Sequence, residues 1–536
     1  MRLLTSLSVI AAAMASSALV SAQADEVCPQ RGGTLTYTFA TDPVALSTIQ
    51  TTSVPVAIVA TKIYEGLLTY DGPQLDPAPG LATSWEVSDD SLTYTFHLRD
   101  DVTWHDGEPF TSADVKYSIE EATRPYHNRG KVFFGNVESI DTPDDTTVIF
   151  RLSQPIPYFM LAFHASNTPI LPKHVLETVD TSSREAVLGS AITSAPIGTG
   201  PFKFVEWNRG EYVLLEKNEE YWQAGYPCLD RVVYRTLPDG AARAIALESG
   251  ELDLAPMNSI PDAEIERLSQ LDTITVTETG TEGLGTNMWL DVNLRDTPLS
   301  DVKVRQAISH ALDRQQIIDV IWYGHGTPAR GPLVSSNPFF DESLPAFEFD
   351  LERADALLDE AGYPRGDDGV RFTIEQYFLP YGEKYVRLGE YIRQQLGKIG
   401  IEVRTESLDI GGWLKAVFTD WDYQLTSTFT DNRNDPTIGT ERLFTTDKII
   451  KGATFRNSMG YSNPRVDELF EIGANSPNFE TRKAAFDEMQ QILHEELPVI
   501  FLVELANLSV YNAKVHGLET NGLSWYGGWE KVWKED

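Results

Sequence analysis

The sequence predicts an α/β protein of two bodies, the first of which carries a β-rich insertion. Three observations point there. Strand–helix–strand rhythm recurs over 33–68, over 190–285 and again over 286–503, as α/β units do. Between the first two stretches, 70–189 is dominated by alternating, β-type patterning and proline punctuation. A chain of 536 residues is too long for a single core, and divides into domains.

The bulk properties narrow the class. Hydrophobic residues make up 42% and charged residues 23%, ordinary for a globular protein that meets water on its surface. The formal net charge is -36, which opposes nucleic acid and anionic membrane surfaces as partners. The start of the chain reads as an export signal: Arg2 is followed by an apolar, Ser/Ala-rich run, and Ala22-Gln23-Ala24 fits the small-x-small rule for cleavage after Ala24. No Leu-x-x-Cys lipidation pattern precedes Cys28, and no later apolar run reaches membrane-spanning length. The two cysteines, Cys28 and Cys228, suggest one disulfide in an exported chain, with two buried free thiols as the alternative.

The elements follow in order. Leu35, Tyr37 and Phe39 alternate as a strand, and 54–68 reads as a helix. Pro77 and Pro79 mark a break. Leu92, Tyr94, Phe96 and Leu98 alternate with polar residues as a half-buried strand, Asp106-Gly107 turns the chain, and Thr111-x-x-Asp114 reads as a capping box. Val115, Ile119 and Ala122 then follow at helical spacing. Val148, Phe150 and Leu152 form another strand of the insertion. Gly198-Thr199-Gly200-Pro201 reads as a tight turn returning the chain to the first body. In the second half, Val304, Ala307, Ile308, Ala311 and Leu312 share one helix face, Asp313 caps a helix carrying Ile317, Ile318 and Ile321, and Gly362 and Pro364 stop the helix over 351–361. A strand at Phe372, a helix carrying Tyr385, Leu388, Ile392 and Leu396, and a strand from Ile401 make a further unit. Tyr423 to Thr428 is expected as a strand, Phe486, Met489 and Leu493 as a helix face, and 498–503 as a returning strand.

Residues 85–115, WEVSDDSLTYTFHLRDDVTWHDGEPFTSADV, resemble the signature of the family 5 extracellular solute-binding proteins, the peptide- and nickel-type receptors of bacterial ABC importers. Tyr64-Glu65-Gly66-Leu67-Leu68, Gly198-Thr199-Gly200-Pro201-Phe202 and the run from Pro298 to Ile308 are similar to further family strings. The resemblance implies the two-lobed periplasmic binding protein fold of cluster C type, with a hinge, the first lobe being built from both ends of the chain. The expected division is a signal peptide at 1–24, a discontinuous first lobe at 25–69, 190–285 and 497–536, the insertion at 70–189, and the second lobe at 286–496.

Catalytic patterns are wanting. There is no Gly-x-Ser-x-Gly elbow, His494-Glu495-Glu496-Leu497-Pro498 lacks the second histidine of a zinc protease, and Gly324-His325-Gly326 follows a helix rather than a strand. No catalytic residue, metal site or cofactor is expected. The resemblance places a ligand loop around 429–436. In dipeptide-type relatives an Asp there pairs with the ligand's ammonium group; counting back from Asp435-Pro436, that place falls on Asn432, with Asp431 one residue earlier. Arg433 offers a guanidinium fork suited to a carboxylate or phosphate. Leu379, before Pro380-Tyr381, stands where such relatives carry an Arg for the ligand's carboxylate. Phe429, Asp431, Asn432, Arg433, Asp435 and Tyr381 are therefore the expected ligand contacts, with Trp289 and Trp413 as stacking surfaces. The function expected is capture of a small peptide-like or amino-acid-derived solute by a periplasmic monomer, and its delivery to the permease subunits of an ABC importer. A nickel- or metal-chelate receptor, an oligosaccharide receptor and an exported hydrolase are the rivals.

Overall fold

The computed structural model describes residues 27–535; the expected signal peptide and its cleavage point after Ala24 lie outside them. Two large sheets organise the chain. The first has seven strands, in the order Ile274–Thr277, Ser509–Asn512, Leu254–Ala255, Thr34–Phe39, Arg231–Thr236, Tyr212–Lys217 and Phe202–Asn208. Its central strand, Thr34–Phe39, runs parallel to both neighbours. Leu35 and Tyr37 are buried in the first core, as the alternation requires. Cys28 and Cys228 are joined in a disulfide across a separation of 200 residues, which ties the start of the described chain to the strand at 231–236.

The second sheet has six strands: Thr327–Pro328, Val499–Glu504, Thr286–Val292, Leu425–Asp431, Phe372–Tyr377 and Ile401–Glu406. Thr286–Val292 lies inside it and every residue of it is buried, its polar members Thr286, Asn287 and Asp291 included. The helices Val302–His310, Arg314–Ile321, Glu383–Lys398 and Phe479–Glu496 supply apolar faces to its core. The structure corrects one expected boundary here. Val499–Glu504, assigned with 497–536 to the first lobe, pairs antiparallel with Thr286–Val292 in the second sheet. The chain returns to the first sheet only at Ser509–Asn512.

The insertion is a four-stranded antiparallel sheet in the order Ala82–Val87, Thr93–Leu98, Thr147–Leu152 and Val137–Asp144. Phe96, Phe134, Phe150, Phe159 and Phe163 pack on one another at its base, with ring centroids 4.7–6.4 Å apart. Asp114 fastens the capping residue: its carboxylate accepts the Thr111 N–H at 2.8 Å and, on its other oxygen, the Lys173 N–H at 2.8 Å.

Two local expectations change. The first helix is Val54–Ile63, ending five residues early because Tyr64 is extended and Leu68–Asp71 pairs with Asp76–Pro79. Pro77 and Pro79 thus sit in a short two-stranded ribbon, where a missing N–H is tolerated. At Gly198 the reason for glycine is close approach: an added Cβ would lie 1.8 Å from the Ile63 carbonyl oxygen.

The chain crosses between the two large sheets at 278–285 and at 505–508. These crossings are joined to each other and to the first body: the Leu505 N–H donates to the Thr286 carbonyl at 2.8 Å, and Leu508 and Asn258 exchange bonds of 2.6 and 2.9 Å. Two adjacent crossing segments of this kind between two bodies form the hinge.

Candidate functional site

A cavity of about 190 Å³ lies at the hinge, between the two bodies. The crossing 505–508 lines it. Asn258 and Asp262 reach it from the first body, and Tyr385, Phe429, Asp431 and Arg433 from the second. Phe429 and Asp431 are held by the strand Leu425–Asp431, in which Phe429 pairs with Met288 and Asp431 with Thr286. That strand runs three residues beyond the expected end at Thr428, because its antiparallel pairing with Thr286–Val292 continues to the first residue of that strand. Tyr385 stacks on Phe429 with ring centroids 6.2 Å apart, and Trp322 meets Tyr385 edge-on at 6.3 Å. The second body therefore presents an aromatic wall ending in a carboxylate.

Asp431 is anchored twice. Its Oδ1 accepts the Thr286 hydroxyl at 2.8 Å, and its Oδ2 lies 3.3 Å from Arg433 Nη2. Arg433 has a left-handed backbone, φ 60°, held by its N–H to the Leu284 carbonyl at 2.8 Å and by its own carbonyl, which accepts Asn337 Nδ2 at 2.7 Å. The loop thus pays local strain to turn this side chain back toward the cleft. A smaller cavity, about 30 Å³, adjoins there and is lined by Arg433 and by Arg129 of the insertion. Arg129 donates to Asn167 Oδ1 at 3.0 Å. Burial, and then the neighbouring Arg433 charge, push its guanidinium down to about 9. Arg442 stands on the other side, donating to Thr430 Oγ1 and to the Phe455 carbonyl, both at 2.6 Å. Burial lowers it to about 10, against the pull of Asp431. Tyr526, from the first body, is buried beside Arg433, Asp431 and Arg129, and burial raises its phenol well above the usual range. Two guanidiniums, Arg129 and Arg433, line the small cavity beside one carboxylate, Asp431.

A larger cavity, about 390 Å³, belongs to the first body and is lined by Glu65, Asp71 and Glu530 among others. It shares Tyr70 and His164 with the Arg129 cavity, and Tyr526 with the hinge cavity. The hinge cavity and the small cavity beside it both draw their walls from the two bodies and from a crossing segment, the usual place for a ligand held by domain closure. Asp262 and Lys384 pair across it at 3.2 Å. Asn434 Nδ2 donates to the Gln74 carbonyl at 2.9 Å, a second contact between the bodies.

The structure divides the expected site residues. Phe429, Asp431 and Arg433 line the hinge cavity. Tyr381 is 44% exposed and packs on Phe429 with centroids 5.8 Å apart, at the rim. Four of the expected contacts are engaged in bonds within the second body. The Asn432 carboxamide is used up inside the loop: Nδ2 donates to the Pro332 carbonyl and Oδ1 accepts the Val334 N–H, both at 2.8 Å. Asp435 caps the helix Pro436–Gly439 through the Thr437 N–H and pairs with buried Arg482. Trp289 is buried and donates to Asp291 Oδ1 at 2.9 Å; Trp413 is buried and donates to Thr426 Oγ1 at 2.8 Å. Leu379 lies fully in the second core. Arg129, Asp262, Lys384 and Tyr385 were not singled out from sequence. Tyr385 was legible only as one member of an apolar helix stripe. Arg129 sits more than 300 residues from Arg433 and carries no local signal. Among the described residues no group of three or more His, Cys, Asp or Glu side chains is gathered as metal ligands are, and no helix is long and apolar enough to cross a membrane.

The model for "Bacterial extracellular solute-binding proteins, family 5 Middle" matches residues 76–449. The glutathione-binding protein GsiB of Pectobacterium atrosepticum is 28% identical over 476 residues, covering 86% of each chain. Among solved structures, the substrate-binding protein CtaP of Listeria monocytogenes superposes with a TM-score of 0.82 at 26% identity, over 94% of this chain and 100% of that one. The periplasmic binding protein DppA of Helicobacter pylori, in complex with the peptide STSA, gives 0.78 at 26% identity, over 96% and 100%.

Proposed function

This chain belongs to the bacterial extracellular solute-binding proteins of family 5, and from that premise we propose that it captures a small peptide-like or amino-acid-derived solute in the hinge cavity. The observation that carries the ligand class is the pairing of an aromatic wall, Tyr385 and Phe429, with fixed charges of both signs, Asp431 and Arg433, inside one cleft. A zwitterionic solute with side chains needs both. The relatives named for glutathione and for a bound peptide support the same class.

No bond is made or broken in this reading. The two bodies close on the solute, and the closed form is favoured only by the difference in affinity between the two arrangements. The closed receptor then docks on the permease subunits of an ABC importer as a monomer. Export through residues 1–24, with cleavage after Ala24, places it in the periplasm; the first residue of the exported protein checks that point.

The test is a thermal-shift screen of the purified mature chain against di- and tripeptides, opines, oligosaccharides and nickel–histidine chelates. A bound ligand stabilises in proportion to RT ln(1 + [L]/Kd), about 2.7 kcal/mol at a hundredfold excess over Kd. Peptides or amino-acid conjugates should raise the melting point where sugars and chelates do not. A shift confined to sugars or to chelates would overturn the ligand class, and hydrolysis of the added peptide would overturn the receptor reading.

A further inference from the structure

The cleft holds more positive charge than its own residues neutralise. Arg433 has Asp431 as partner at 3.3 Å. Arg129 lines the same small cavity from the insertion, and its recorded polar contact is the neutral Asn167 amide. The carboxylate that acts on it is Asp431, already engaged by Arg433 and by the Thr286 hydroxyl. Arg442 stands behind Asp431, outside the lining of both cavities and bonded to neutral oxygens, so it adds positive charge nearby without neutralising any. All this sits in a chain of net charge -36, where long-range attraction of anions is absent and a cationic pocket has to be built locally.

The placement of the charges matters as much as their number. Arg129 precedes the helix Gly130–Phe134 of the insertion, which is attached to the first body. Arg433 belongs to the loop that follows a strand of the second sheet. Closing the cleft therefore brings two like charges together in a dry space, where their repulsion is little screened. A carboxylate between them accepts from both forks, turning a repulsive contact into two charge-assisted ones.

We propose that the solute carries a carboxylate seated between Arg129 and Arg433, and that this group bridges the two bodies and holds the cleft shut. The inference rests on the hinge-cavity reading above and names the ligand's chemistry within it. Arg129 is a specificity-determining residue: neutral solutes of the same shape leave the two guanidiniums opposed and bind an open, weaker form.

Two probe pairs test this on the mature chain. The first is glutarate against glutaramide at matched ionic strength, read by thermal shift; it needs no knowledge of the natural solute. Glutarate should raise the melting point above glutaramide in the native protein. The gain should vanish in Arg129→Gln and survive in part in Arg129→Lys. The unliganded Arg129→Gln variant should melt no lower than the native protein, since a repelling charge has been removed. The second pair is Ala-Gln against its C-terminal amide by calorimetry, where the free carboxylate should bind about tenfold tighter, a preference lost in Arg129→Gln. Equal response to glutarate and glutaramide in the native protein would overturn the proposal, as would a carboxylate preference that persists in Arg129→Gln. A glutarate response that depends on Arg129, with neither peptide binding, would uphold the carboxylate seat and sink the peptide-like reading instead.

Discussion

Asp291 shows how much a single buried carboxyl can set the protein's response to pH. It lies in the fully buried strand Thr286–Val292 and accepts one bond, from Trp289 Nε1 at 2.9 Å. Burial raises its carboxyl from 3.8 to about 7, the Trp289 bond recovering only part of the cost. An acid raised in this way binds more protons folded than unfolded between those two values. Stability should therefore fall as pH rises from about 4 to about 7, and stay lower above that. Asp291→Asn keeps an acceptor for Trp289 and removes the ionisation. We expect it to be more stable than the native protein at pH 8 by a few kcal/mol, on the order of the folded-state shift, and nearly equal at pH 4. Urea titrations at the two pH values measure this; an Asn variant less stable at both would refute it. The same residues mark the limit of sequence at this scale. Trp289 and Trp413 were legible as large aromatics near strand and helix ends. Whether such a ring faces a core or a cleft depends on what the opposite side of its sheet meets, and the local pattern does not contain that.

Among the elements, the loop after the strand Leu425–Asp431 does two jobs that the sequence presents as one motif. Residues 429, 431 and 433 face the cleft, while Asn432 and Asp435 lock the loop in place. Alternation along the strand puts Phe429 and Asp431 on one side, and the left-handed turn at Arg433 ends that alternation, so Asp435 leaves the cleft side. Counting back from Asp435-Pro436 finds the loop but not which side each residue takes. Gly439 completes the lock: an added Cβ there would stand 2.0 Å from the Asn432 carbonyl oxygen. The buried pair of Asp435 with Arg482 is the most sensitive point, because removing one partner strands the other's charge. Arg482→Met should cost about 3–5 kcal/mol in denaturant unfolding. Arg482→Met combined with Asp435→Asn should recover much of it, since no buried charge is left. At the other end of the chain, replacing Cys28 and Cys228 together by serine should cost about 2–5 kcal/mol, because the closed loop spans 200 residues. The cap of Arg314–Ile321 at Asp313 was legible to the residue, while Val302–His310 was legible as an apolar face whose last expected members, Ala311 and Leu312, lie just past its end.

Over the whole molecule, local periodicity predicts α/β bodies and an insertion, while the hinge and the shared ends come from pairing between distant segments. Val499–Glu504 illustrates the difficulty. It follows the helix Phe479–Glu496 as any strand of such a unit would, and nothing in its residues says which sheet it joins. Its partner, Thr286–Val292, lies more than 200 residues earlier. The consequence is functional: because both crossings leave adjacent strands of the second sheet, the bodies can swing about them without breaking either sheet. What then holds the cleft shut without solute is a short list of contacts, with the Asp262–Lys384 pair at 3.2 Å foremost and the Asn434–Gln74 bond of 2.9 Å beside it. A partly exposed ion pair contributes only about 0.2–1 kcal/mol, and salt screens it. Asp262→Ala and Lys384→Ala should each raise the radius of gyration of the unliganded protein in small-angle scattering. The double variant should raise it no further, since the two changes remove one interaction. High salt should open the native protein and leave the variants unmoved. If the variants scatter as the native protein does, closure without solute is held elsewhere, and the Arg129–Arg433 repulsion must be outweighed by packing between the bodies rather than by this pair.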